Sequence, residues 1–441
     1  MTKEKKKKVF QLVKGMKDIL PEDEKYWSAV WEVVENLALK YGFGRIETPV
    51  LEMADLFARG TGSTTDIVEK EMYSFVDQAG EKLALRPEGT PGAVRSYIEH
   101  GLINLPQPVK LFYFCSMFRH DKPQAGRYRQ FSQVGFEVIG DPEPVIDAQL
   151  INLAYQIYTS FQLQPSVQVN SIGCLECRPA YEQALKEHFK KDRNKLSEIS
   201  RERLSKNVMR ILDSKEEEDQ PSIAKAPQQM DFLCEACQKH FMQVLEYLDD
   251  LQVPYFLNSR IVRGLDYYTR TTYELWLGEE EAGRQSSLGG GGRYDGLVEL
   301  LGGRPTPASG FAIGVERLIL QLKEHDLKGK ERRKPEVFVA QLGNEARRKA
   351  LGLYEELFKA GVLPVESFSK SGLKPQLEIA DRLKVPYTVI LGQKEIIDGT
   401  VLLREMSGGI QEVVPFNKIV PEVLRRLGKA EIVYNEKSET R

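Results

Sequence analysis

The sequence predicts an α+β protein in which a helical insertion interrupts an antiparallel sheet and a separate α/β domain follows. Two long strand-like runs joined by a polar loop favour an antiparallel hairpin in the first third of the chain. Strand patterns stop between about residues 171 and 255 and then resume, which indicates that an insertion splits one sheet. At 441 residues the chain is also too long for a single ordinary core, since domains average about 150 residues.

The first elements are predicted from the spacing of apolar residues. Such residues recur at helical spacing between Pro21 and Gly42, which predicts an amphipathic helix from residue 22 to about 41. Short strand-like runs follow between Gly44 and Gly140, and the last two, KLFYFCSMFR and RQFSQVGFEVIG, form the predicted hairpin.

The rest of the chain divides into an insertion, a resumed sheet and a final domain. The segment 171–255 is helical and charged, with the acidic stretch DSKEEEDQ. Strand patterns return in TRTTYELWL, and SGFAIGVERLILQL predicts a strand that leads into a helix. Beyond a charged linker, strands and helices alternate from EVFVAQL to YTVILG, which predicts a compact α/β domain with parallel pairing.

Composition excludes several classes of protein. Lys and Arg number 62 and Asp and Glu 64, for a net charge of −2, and 41% of residues are hydrophobic, an ordinary balance for a globular chain. No stretch approaches the roughly 18 apolar residues that a membrane span requires, and MTKEKKKKVF lacks the apolar run of a secretory signal. We therefore expect a cytoplasmic protein with no membrane partner.

The loop between the hairpin strands predicts an anion site. Its eleven residues hold four cations, Arg119, Lys122, Arg127 and Arg129, against the single anion Asp121. Arginine binds phosphate oxygens bidentately and stays charged at any working pH, so this loop suits a polyphosphate.

The second hairpin strand carries polar residues on one face. A period of two places Gln133, Gly135 and Glu137 together, and the apolar residues between them face the core. A glycine between two polar side chains leaves room for a ligand or another backbone, with Gln133 and Glu137 free to bind it. A solvated sheet face explains this strand equally well.

Four further clusters carry polar residues near turns. LALRPEGTPGAVRSYIEH offers Glu88 and Thr90 to an ammonium group, and Arg263 precedes a glycine and two tyrosines in SRIVRGLDYYTRTTYE. GGGGRYDG has a flexible backbone that could admit a ligand beside Tyr294, although glycine runs more often mark turns. Arg317 falls in the first turn of a helix, where a cation indicates that an anion shares the site. P-loop and dinucleotide-binding glycine motifs are absent from the sequence.

Four of the five cysteines form two CxxC pairs separated by 56 residues. The spacing of Cys174, Cys177, Cys234 and Cys237 suits tetrahedral Zn²⁺. Reduced structural thiols fit this spacing equally well, and five cysteines are too few for a disulfide scaffold.

Taken in order, RPEGT, MFRHDKPQAGRYRQF, RGLDYY, GGRYDG and GFAIGVERL resemble the histidyl-tRNA synthetase family of class II aminoacyl-tRNA synthetases. The resemblance spans nearly the whole chain. It implies a seven-part antiparallel sheet flanked by helices, a helical insertion, a C-terminal anticodon-binding α/β domain and a homodimer. It also implies a ligase that activates L-histidine with ATP and Mg²⁺ and then transfers it to tRNA(His).

The resemblance implies a role for each matching residue. Arg119 and Arg263 are expected to be catalytic, both at the α-phosphate of ATP. The residues expected to bind ATP are Arg119, Asp121, Arg127, Phe131 and Arg317. Those expected to bind histidine are Glu88, Thr90, Gln133, Glu137, Arg263, Tyr268 and Tyr294. Gln124 is expected to meet the tRNA acceptor end, and Pro49 to lie at the dimer interface.

The same resemblance divides the chain into domains. The expected segments are a basic tail (1–8), the catalytic domain (9–170 and 256–325), the insertion (171–255), a linker (326–334), the anticodon-binding domain (335–428) and a C-terminal tail (429–441).

Two non-enzymatic alternatives are weighed against the ligase. A non-catalytic, histidine-sensing regulatory subunit of ATP phosphoribosyltransferase would share the catalytic module but lack residues 335–428, and it has no use for three phosphate-directed arginines. An RNA-binding structural protein is favoured only by the basic tail, which is equally typical of a solvated chain end.

Overall fold

A computed structural model describes residues 10–63, 65–277, 287–327, 329 and 333–429, which fall into two compact units, Met1–Lys330 and Glu331–Arg441. The expected tail 1–8, residues 328 and 330–332 of the expected linker, and the chain from 430 onward lie outside the described residues.

The first unit contains ten α-helices and eleven strands among its described residues. In chain order its first elements are α1 (Glu24–Lys40), β1 (Gly44–Arg45), β2 (Leu51–Met53), α2 (Ala54–Gly60), β3 (Ser74–Val76), β4 (Lys82–Leu85), α3 (Thr90–Glu99), β5 (Val109–Phe118), β6 (Gln130–Ile139), α4 (Pro144–Thr159) and β7 (Ser166–Ser171). The remaining elements are α5 (Arg178–Lys191), α6 (Glu198–Lys206), α7 (Gln220–Ile223), α8 (Glu235–Asp250), β8 (Tyr255–Leu257), β9 (Thr269–Trp276), β10 (Ser287–Arg293), α9 (Leu297–Leu300), β11 (Ala308–Gly314) and α10 (Val315–Glu324).

The large sheet has the strand order β1-β5-β6-β11-β10-β9-β7-β8. Its six inner strands pair antiparallel, and β1 and β8 pair parallel at the two edges. The predicted hairpin is confirmed as β5 and β6, which pair from Val109 opposite Ile139 to Phe118 opposite Gln130. The described residues thus form an antiparallel core of the predicted class, with eight strands where seven were expected.

The glycine run is a strand, which corrects the expectation that it marks a turn. Residues 289–292 pair with β9 on one side and β11 on the other. A Cβ on Gly290 would come within 2.4 Å of the Tyr273 carbonyl oxygen, and one on Gly291 within 2.1 Å of the Gly310 oxygen. Glycine is required because neighbouring backbones lie too close for a side chain.

Helices α1, α4 and α8 cover one face of this sheet. The alternation predicted for β6 is confirmed, since Val134, Phe136 and Val138 lie in the same core as these helices. Helix α8 follows the shorter inserted helices and packs on α4, with Phe241 and Val244 fully buried. Among the described residues, no helix combines the length and apolar character needed to cross a membrane.

The second unit is an α/β domain with its own core. Its elements are β12 (Val337–Gln341), α11 (Asn344–Lys359), β13 (Pro364–Glu366), α12 (Leu373–Arg382), β14 (Tyr387–Leu391), α13 (Gln393–Asp398), β15 (Thr400–Glu405), β16 (Gln411–Pro415) and α14 (Ile419–Arg426). The predicted parallel pairing is confirmed for β13, β12 and β14. The antiparallel strands β15 and β16 were not predicted, although the SGG turn between them is a hairpin signal.

Candidate active site

A cavity of about 510 Å³ lies on the large sheet and gathers most of the residues that the sequence singled out. The predicted residues that line it are Glu88, Thr90, Arg119, Asp121, Arg127, Phe131, Gln133, Arg263, Tyr268 and Arg317. The predicted residues outside the lining are Pro49, Gln124, Glu137, Tyr294 and the four paired cysteines. Segments nearly 230 residues apart therefore meet at one site, because β5, β6, β9, β10 and β11 share one sheet.

Two arginines are aimed into the cavity by backbone carbonyls. Arg119 follows β5; its Nε donates to the Pro87 oxygen at 2.8 Å, and its guanidinium lies 5.4 Å from the centre of the Phe131 ring. Arg317, in the first turn of α10, donates to the carbonyl oxygens of Gly126 and Ser287. Within the described part of the chain, neither arginine forms an ion pair.

The arginines also act on one another. Burial, and then the neighbouring charges of Arg127 and Arg119, lower the pKa of Arg317. Arg127 is half-exposed and pairs with Asp121 at 3.3 Å in the hairpin loop. An anion with several oxygens bound between these guanidinium groups would relieve their mutual repulsion.

Arg317 lies on α10, and the start of this helix is hydrogen-bonded to strand β6. Both carboxylate oxygens of Glu316 accept the Ser132 N–H, at 2.8 and 2.9 Å, and this joins the start of α10 to β6. Burial raises the pKa of Glu316 to about 7, and the Ser132 N–H opposes the shift. The Glu316 carboxylate thus joins the β5–β6 hairpin to the helix that carries Arg317. The sequence motifs did not predict this contact.

Arg263 occupies the other side of the cavity. Its Nη1 donates to Glu274 at 2.5 Å, and its guanidinium lies 5.6 Å from the centre of the Tyr268 ring. Burial alone would lower the pKa of Arg263, but the Glu274 carboxylate raises it above its ordinary value. The Nε of Arg263 is buried without a hydrogen-bond partner among the described residues. A buried donor without a partner at a cavity wall favours a ligand that accepts from it.

A small polar pocket adjoins these cations. Glu88 accepts hydrogen bonds from the Thr61 hydroxyl at 2.5 Å and from the Tyr267 hydroxyl at 2.8 Å, and its burial raises its pKa. The Oε1 of Gln133 is buried and lacks a partner among the described residues. A carboxylate beside an unpaired acceptor suits a ligand that brings N–H donors, such as an ammonium group.

Glu137 lies beneath the pocket, not in its wall. It is fully buried and accepts hydrogen bonds from the hydroxyls of Thr90 at 2.8 Å, Tyr113 at 3.1 Å and Tyr294 at 2.5 Å. Burial raises the pKa of Glu137 to about 7, although the three hydroxyls oppose the shift. The strand pattern predicted that Glu137 is free to bind a ligand. In the structure its carboxylate instead accepts hydrogen bonds from three hydroxyl groups.

The space at Gly135 is filled by a side chain of the protein itself. Tyr113 lies opposite Gly135 across the hairpin, and a Cβ there would come within 2.1 Å of its ring. The sequence-based expectation was a ligand or another backbone beside Gly135, and the Tyr113 ring takes this space instead. The sequence reasoning assigned no role to Thr61, Tyr113, Tyr267 or Glu274. Tyr267 had a signal, since it is the first tyrosine of RGLDYY, and Tyr113 had one in the glycine that faces it.

Replacing Glu137 by glutamine is expected to remove a pH-dependent loss of stability. The pKa of Glu137 is about 7 in the folded chain against an ordinary value of 4.5, so the folded state binds one more proton than the unfolded state between these pH values. Stability from this group is fully present below pH 4.5 and is lost as pH rises through about 7. Between roughly pH 5 and 8 the wild type should lose a few kcal/mol relative to Glu137→Gln, at about 1.4 kcal/mol per pKa unit.

Urea unfolding followed by tryptophan fluorescence measures this difference. The three tryptophans, Trp27, Trp31 and Trp276, all lie in the first unit and report on it selectively. Glu316 titrates in the same range in both proteins, so its effect cancels. The exposed Glu143→Gln is the matched control, and parallel pH profiles for the wild type and Glu137→Gln would contradict the prediction.

Gln124 and Pro49 lie at the surface. Gln124 is exposed in the hairpin loop, where its backbone exchanges hydrogen bonds with Arg127 at 3.2 and 2.9 Å. Pro49 is exposed beside β2, and its carbonyl accepts a hydrogen bond from the buried Arg86. Both positions leave the side chain accessible to a partner.

Comparisons with known proteins agree with this geometry. The sequence model described as histidyl-tRNA synthetase matches residues 15–318, and that described as an anticodon binding domain matches residues 336–426. A histidine–tRNA ligase of Dehalococcoides mccartyi is 44% identical over 95% of this chain and 100% of its own length.

Solved structures show the same relationship. The crystal structure of apo S. aureus histidyl-tRNA synthetase has a TM-score of 0.77 at 35% identity, covering 94% of this chain and 100% of that one. An ATP phosphoribosyltransferase regulatory subunit/histidyl-tRNA synthetase from Bacillus halodurans C has a TM-score of 0.60 at 21% identity, covering 87% and 98%, and shares the fold. The resemblance inferred from the ordered motifs is confirmed: the chain belongs to the histidyl-tRNA synthetase family.

Proposed function

We propose that the chain is a histidine–tRNA ligase, an enzyme that joins L-histidine and ATP into histidyl-adenylate with release of pyrophosphate and then transfers histidine to the 3′-terminal adenosine of tRNA(His). The observation that carries this function is one cavity that is lined by Arg119 and Arg317, which form no ion pair among the described residues, and by a polar pocket built around Glu88. A histidine-sensing subunit has no need of the arginines, nor of the anticodon-binding domain matched at residues 336–426.

The arginines fit a bent ATP. In this proposal Arg119 binds the α-phosphate, while Arg127 and Arg317 bind the terminal phosphates. The adenine stacks on Phe131, whose other neighbour is the Arg119 guanidinium at 5.4 Å. Asp121 pairs with Arg127 in the unliganded chain, so phosphate binding releases Asp121 toward the base.

Mg²⁺ fits the same cavity as a companion of ATP. Its preferred ligands are phosphate oxygens, waters and one or two carboxylates. The carboxylate of Glu71 lines the cavity and would supply the last of these. Bound there, Mg²⁺ would neutralise phosphate charge.

The polar pocket fits histidine. Glu88, Thr90 and Gln133 are assigned to the ammonium group, since Glu88 accepts hydrogen bonds and the Gln133 Oε1 still lacks a donor. Tyr268 and Glu137 are assigned to the imidazole, which offers one donor and one acceptor. Thr90 and Tyr113 separate Glu137 from the cavity, so direct contact requires one of their hydroxyls to turn aside. Tyr294 completes the buried layer beneath the ligand.

Catalysis then follows from position and charge. The histidine carboxylate attacks the α-phosphorus in line, and fixed guanidinium groups stabilise the charge that develops on the phosphates. In this proposal the guanidinium of Arg263 reaches both the carboxylate and the α-phosphate, and its Nε still lacks a partner among the described residues. A non-cognate amino acid leaves buried polar groups unpaired, which supports discrimination on the order of 10⁴–10⁵ without an editing domain.

Transfer to tRNA involves surfaces on both units. Gln124 at the tip of the hairpin loop is assigned to the acceptor end, and the anticodon-binding domain to the anticodon. The cytoplasmic location expected from the sequence stays a prediction.

An aminoacylation assay tests the function directly. The purified chain is incubated with ATP, Mg²⁺, total tRNA and each of the twenty amino acids in turn. We expect histidine alone to be attached, and only to tRNA(His). Histidine binding without attachment would support the regulatory subunit instead, and tRNA binding without either would support an RNA-binding protein.

We further propose that two copies associate through the small sheet formed by β2, β4 and β3. One face of this sheet carries the large apolar side chains of Leu51, Met53 and Phe75, which are 42–46% exposed. Pro49, which the resemblance places at the dimer interface, lies beside β2. Contiguous exposed apolar side chains of this size favour a protein partner.

Phe75→Glu is expected to dissociate the dimer, because it places a charge in an apolar interface. Sedimentation velocity at micromolar concentration should show a dimer for the wild type and a monomer for the variant. Ile397→Glu, at an exposed apolar position in the second unit, should leave the dimer intact. A wild-type monomer, or a dimer that survives Phe75→Glu, would refute this interface.

A further inference from the structure

The four cysteines of the two CxxC pairs converge on one point outside the cavity. Their Sγ atoms all lie within 4.8 Å of one another. The separations are 3.6 Å between Cys174 and Cys177, 3.8 Å between Cys174 and Cys234, and 3.9 Å between Cys177 and Cys237. Residues 60 apart in sequence thus present their sulfur atoms to a shared centre.

These distances match the edges of a small tetrahedron. Four thiolates bound to one zinc ion at about 2.3 Å are separated from one another by roughly 3.8 Å. A disulfide requires sulfur atoms about 2.0 Å apart, and all of these cysteines are free thiols. An iron–sulfur cluster holds its cysteines farther apart, since inorganic sulfide and several irons lie between them. A single tetrahedral metal ion is the occupant that fits.

The local backbone favours thiolates at this point. Cys177 precedes the first residue of α5, and Cys234 precedes the first residue of α8, so both lie at the positive ends of helices longer than three turns. The Cys174 N–H donates to the Cys177 Sγ at 3.2 Å. Gly173 has a φ of +70°, and a Cβ there would come within 2.6 Å of the Cys177 Sγ. The turn is therefore shaped around the sulfur atom.

The cluster lies where the inserted helices leave the sheet and return to it. Gly173 extends the β7 pairing, because its carbonyl accepts the Arg270 N–H at 2.8 Å. Arg178, one residue after Cys177, donates through its guanidinium to the Tyr268 carbonyl oxygen. The turn that contains Cys174 and Cys177 is thus hydrogen-bonded to Tyr268 and Arg270, the residues on either side of Thr269. These residues end the loop that carries Arg263.

We propose that Cys174, Cys177, Cys234 and Cys237 bind one structural Zn²⁺, which joins the starts of α5 and α8 and fixes the loop that ends at Tyr268. The ion is closed off by four protein ligands and takes no part in chemistry. The site itself does not depend on the proposed function, whereas its effect on histidine binding does.

Metal analysis of the full chain is the first test. Protein purified with a reductant and without chelators should contain about one zinc per chain by mass spectrometry. Cys174→Ser/Cys234→Ser should contain none, and Cys115→Ser, which removes the one cysteine outside the cluster, should keep it. Wild-type protein with less than about a tenth of an equivalent of zinc, or with iron instead, would overturn the assignment.

Cobalt exchange keeps the test independent of whether the cysteine variant folds. Co²⁺ added to the metal-depleted wild-type chain should give the thiolate-to-cobalt charge-transfer bands and the strong visible bands of a tetrahedral site. Cys115→Ser should give the same spectrum. Absence of these bands, or four thiols that react freely with Ellman's reagent in the zinc-loaded protein, would refute the site.

Enzyme kinetics test whether the zinc ion fixes the loop that ends at Tyr268. Removing zinc should raise the KM for histidine by several-fold more than the KM for ATP, because Tyr268 faces the proposed histidine pocket. Equal changes in the two KM values would refute the effect of zinc on the Tyr268 loop, but they would not contradict zinc binding by the four cysteines. Failure of all aminoacylation, with zinc present, would count against the proposed function and not against the site.

Discussion

Arg263→Ala is expected to lower histidine-dependent pyrophosphate exchange by about a hundredfold to a thousandfold, while the Kd for histidine changes far less. The guanidinium is expected to act where charge develops in the transition state, and removal of one such donor costs about this much in rate. Its geometry supports the role, because Glu274 fixes Nη1 at 2.5 Å while the buried Nε has no partner among the described residues. Arg263→Lys should recover little, since an ammonium group lacks the planar fork.

A double variant separates this role from a structural one. Arg263→Ala leaves the mostly buried Glu274 carboxylate without its cation, and that alone could disturb the cavity. Arg263→Ala/Glu274→Gln removes the stranded charge, so it should stay as slow as the single variant if the guanidinium acts on substrate. Recovery of exchange in the double variant would show that Arg263 only neutralises Glu274. Arg260→Ala, an exposed arginine three residues earlier, is the matched control and should exchange at the wild-type rate.

Much of the cavity could be predicted because its residues lie in short local patterns. The charge density of the hairpin loop identified Arg119 and Arg127, and the position of Arg317 in a first helical turn identified a third cation. The structure brings these three to one wall of the cavity. Their burial and mutual repulsion were beyond the sequence, since both depend on strands that pair across long separations.

The layer beneath the cavity could not be predicted. A period of two assigns Glu137 to the ligand-facing side of β6, but it cannot show that the hydroxyls of Thr90, Tyr113 and Tyr294 cover it. These donors come from three different elements. The same holds for the glycine run, which resembles a turn in sequence and becomes a strand only because β9 and β11 lie on both sides.

A buried ion network behind the sheet was also invisible in the sequence. Arg293 and Asp147 are both fully buried and lie 3.0 Å apart, and His240 lies 2.8 Å from the same carboxylate. Burial alone would raise the pKa of Asp147, but Arg293 and then His240 lower it to about 2. The network joins β10, α4 and α8, and thereby ties the last helix of the 171–255 insertion to the central strand.

Arg293→Ala is expected to lower the free energy of unfolding of the first unit by about 3–5 kcal/mol, because it leaves a carboxylate buried without its cation. Arg293 also donates to the carbonyl oxygens of Asp141 and Glu143, each at 3.0 Å, so the segment before α4 loses its support as well. Urea unfolding followed by tryptophan fluorescence measures the change. The exposed Arg304→Ala should stay within about 0.5 kcal/mol of the wild type.

The pH dependence of this loss identifies its cause. In the wild type the pKa of Asp147 is lowered from 3.8 to about 2, so its stabilisation is present above pH 3.8 and is lost as pH falls through about 2. Without Arg293 the buried carboxylate titrates at higher pH, and the deficit of Arg293→Ala should shrink on acidification, because Asp147 can take up a proton. Arg293→Ala/Asp147→Asn should likewise recover part of the loss at neutral pH, since no buried charge is left unpaired. A deficit that is independent of pH and undiminished in the double variant would mean that the lost carbonyl hydrogen bonds and packing, not the ion pair, make Arg293 important.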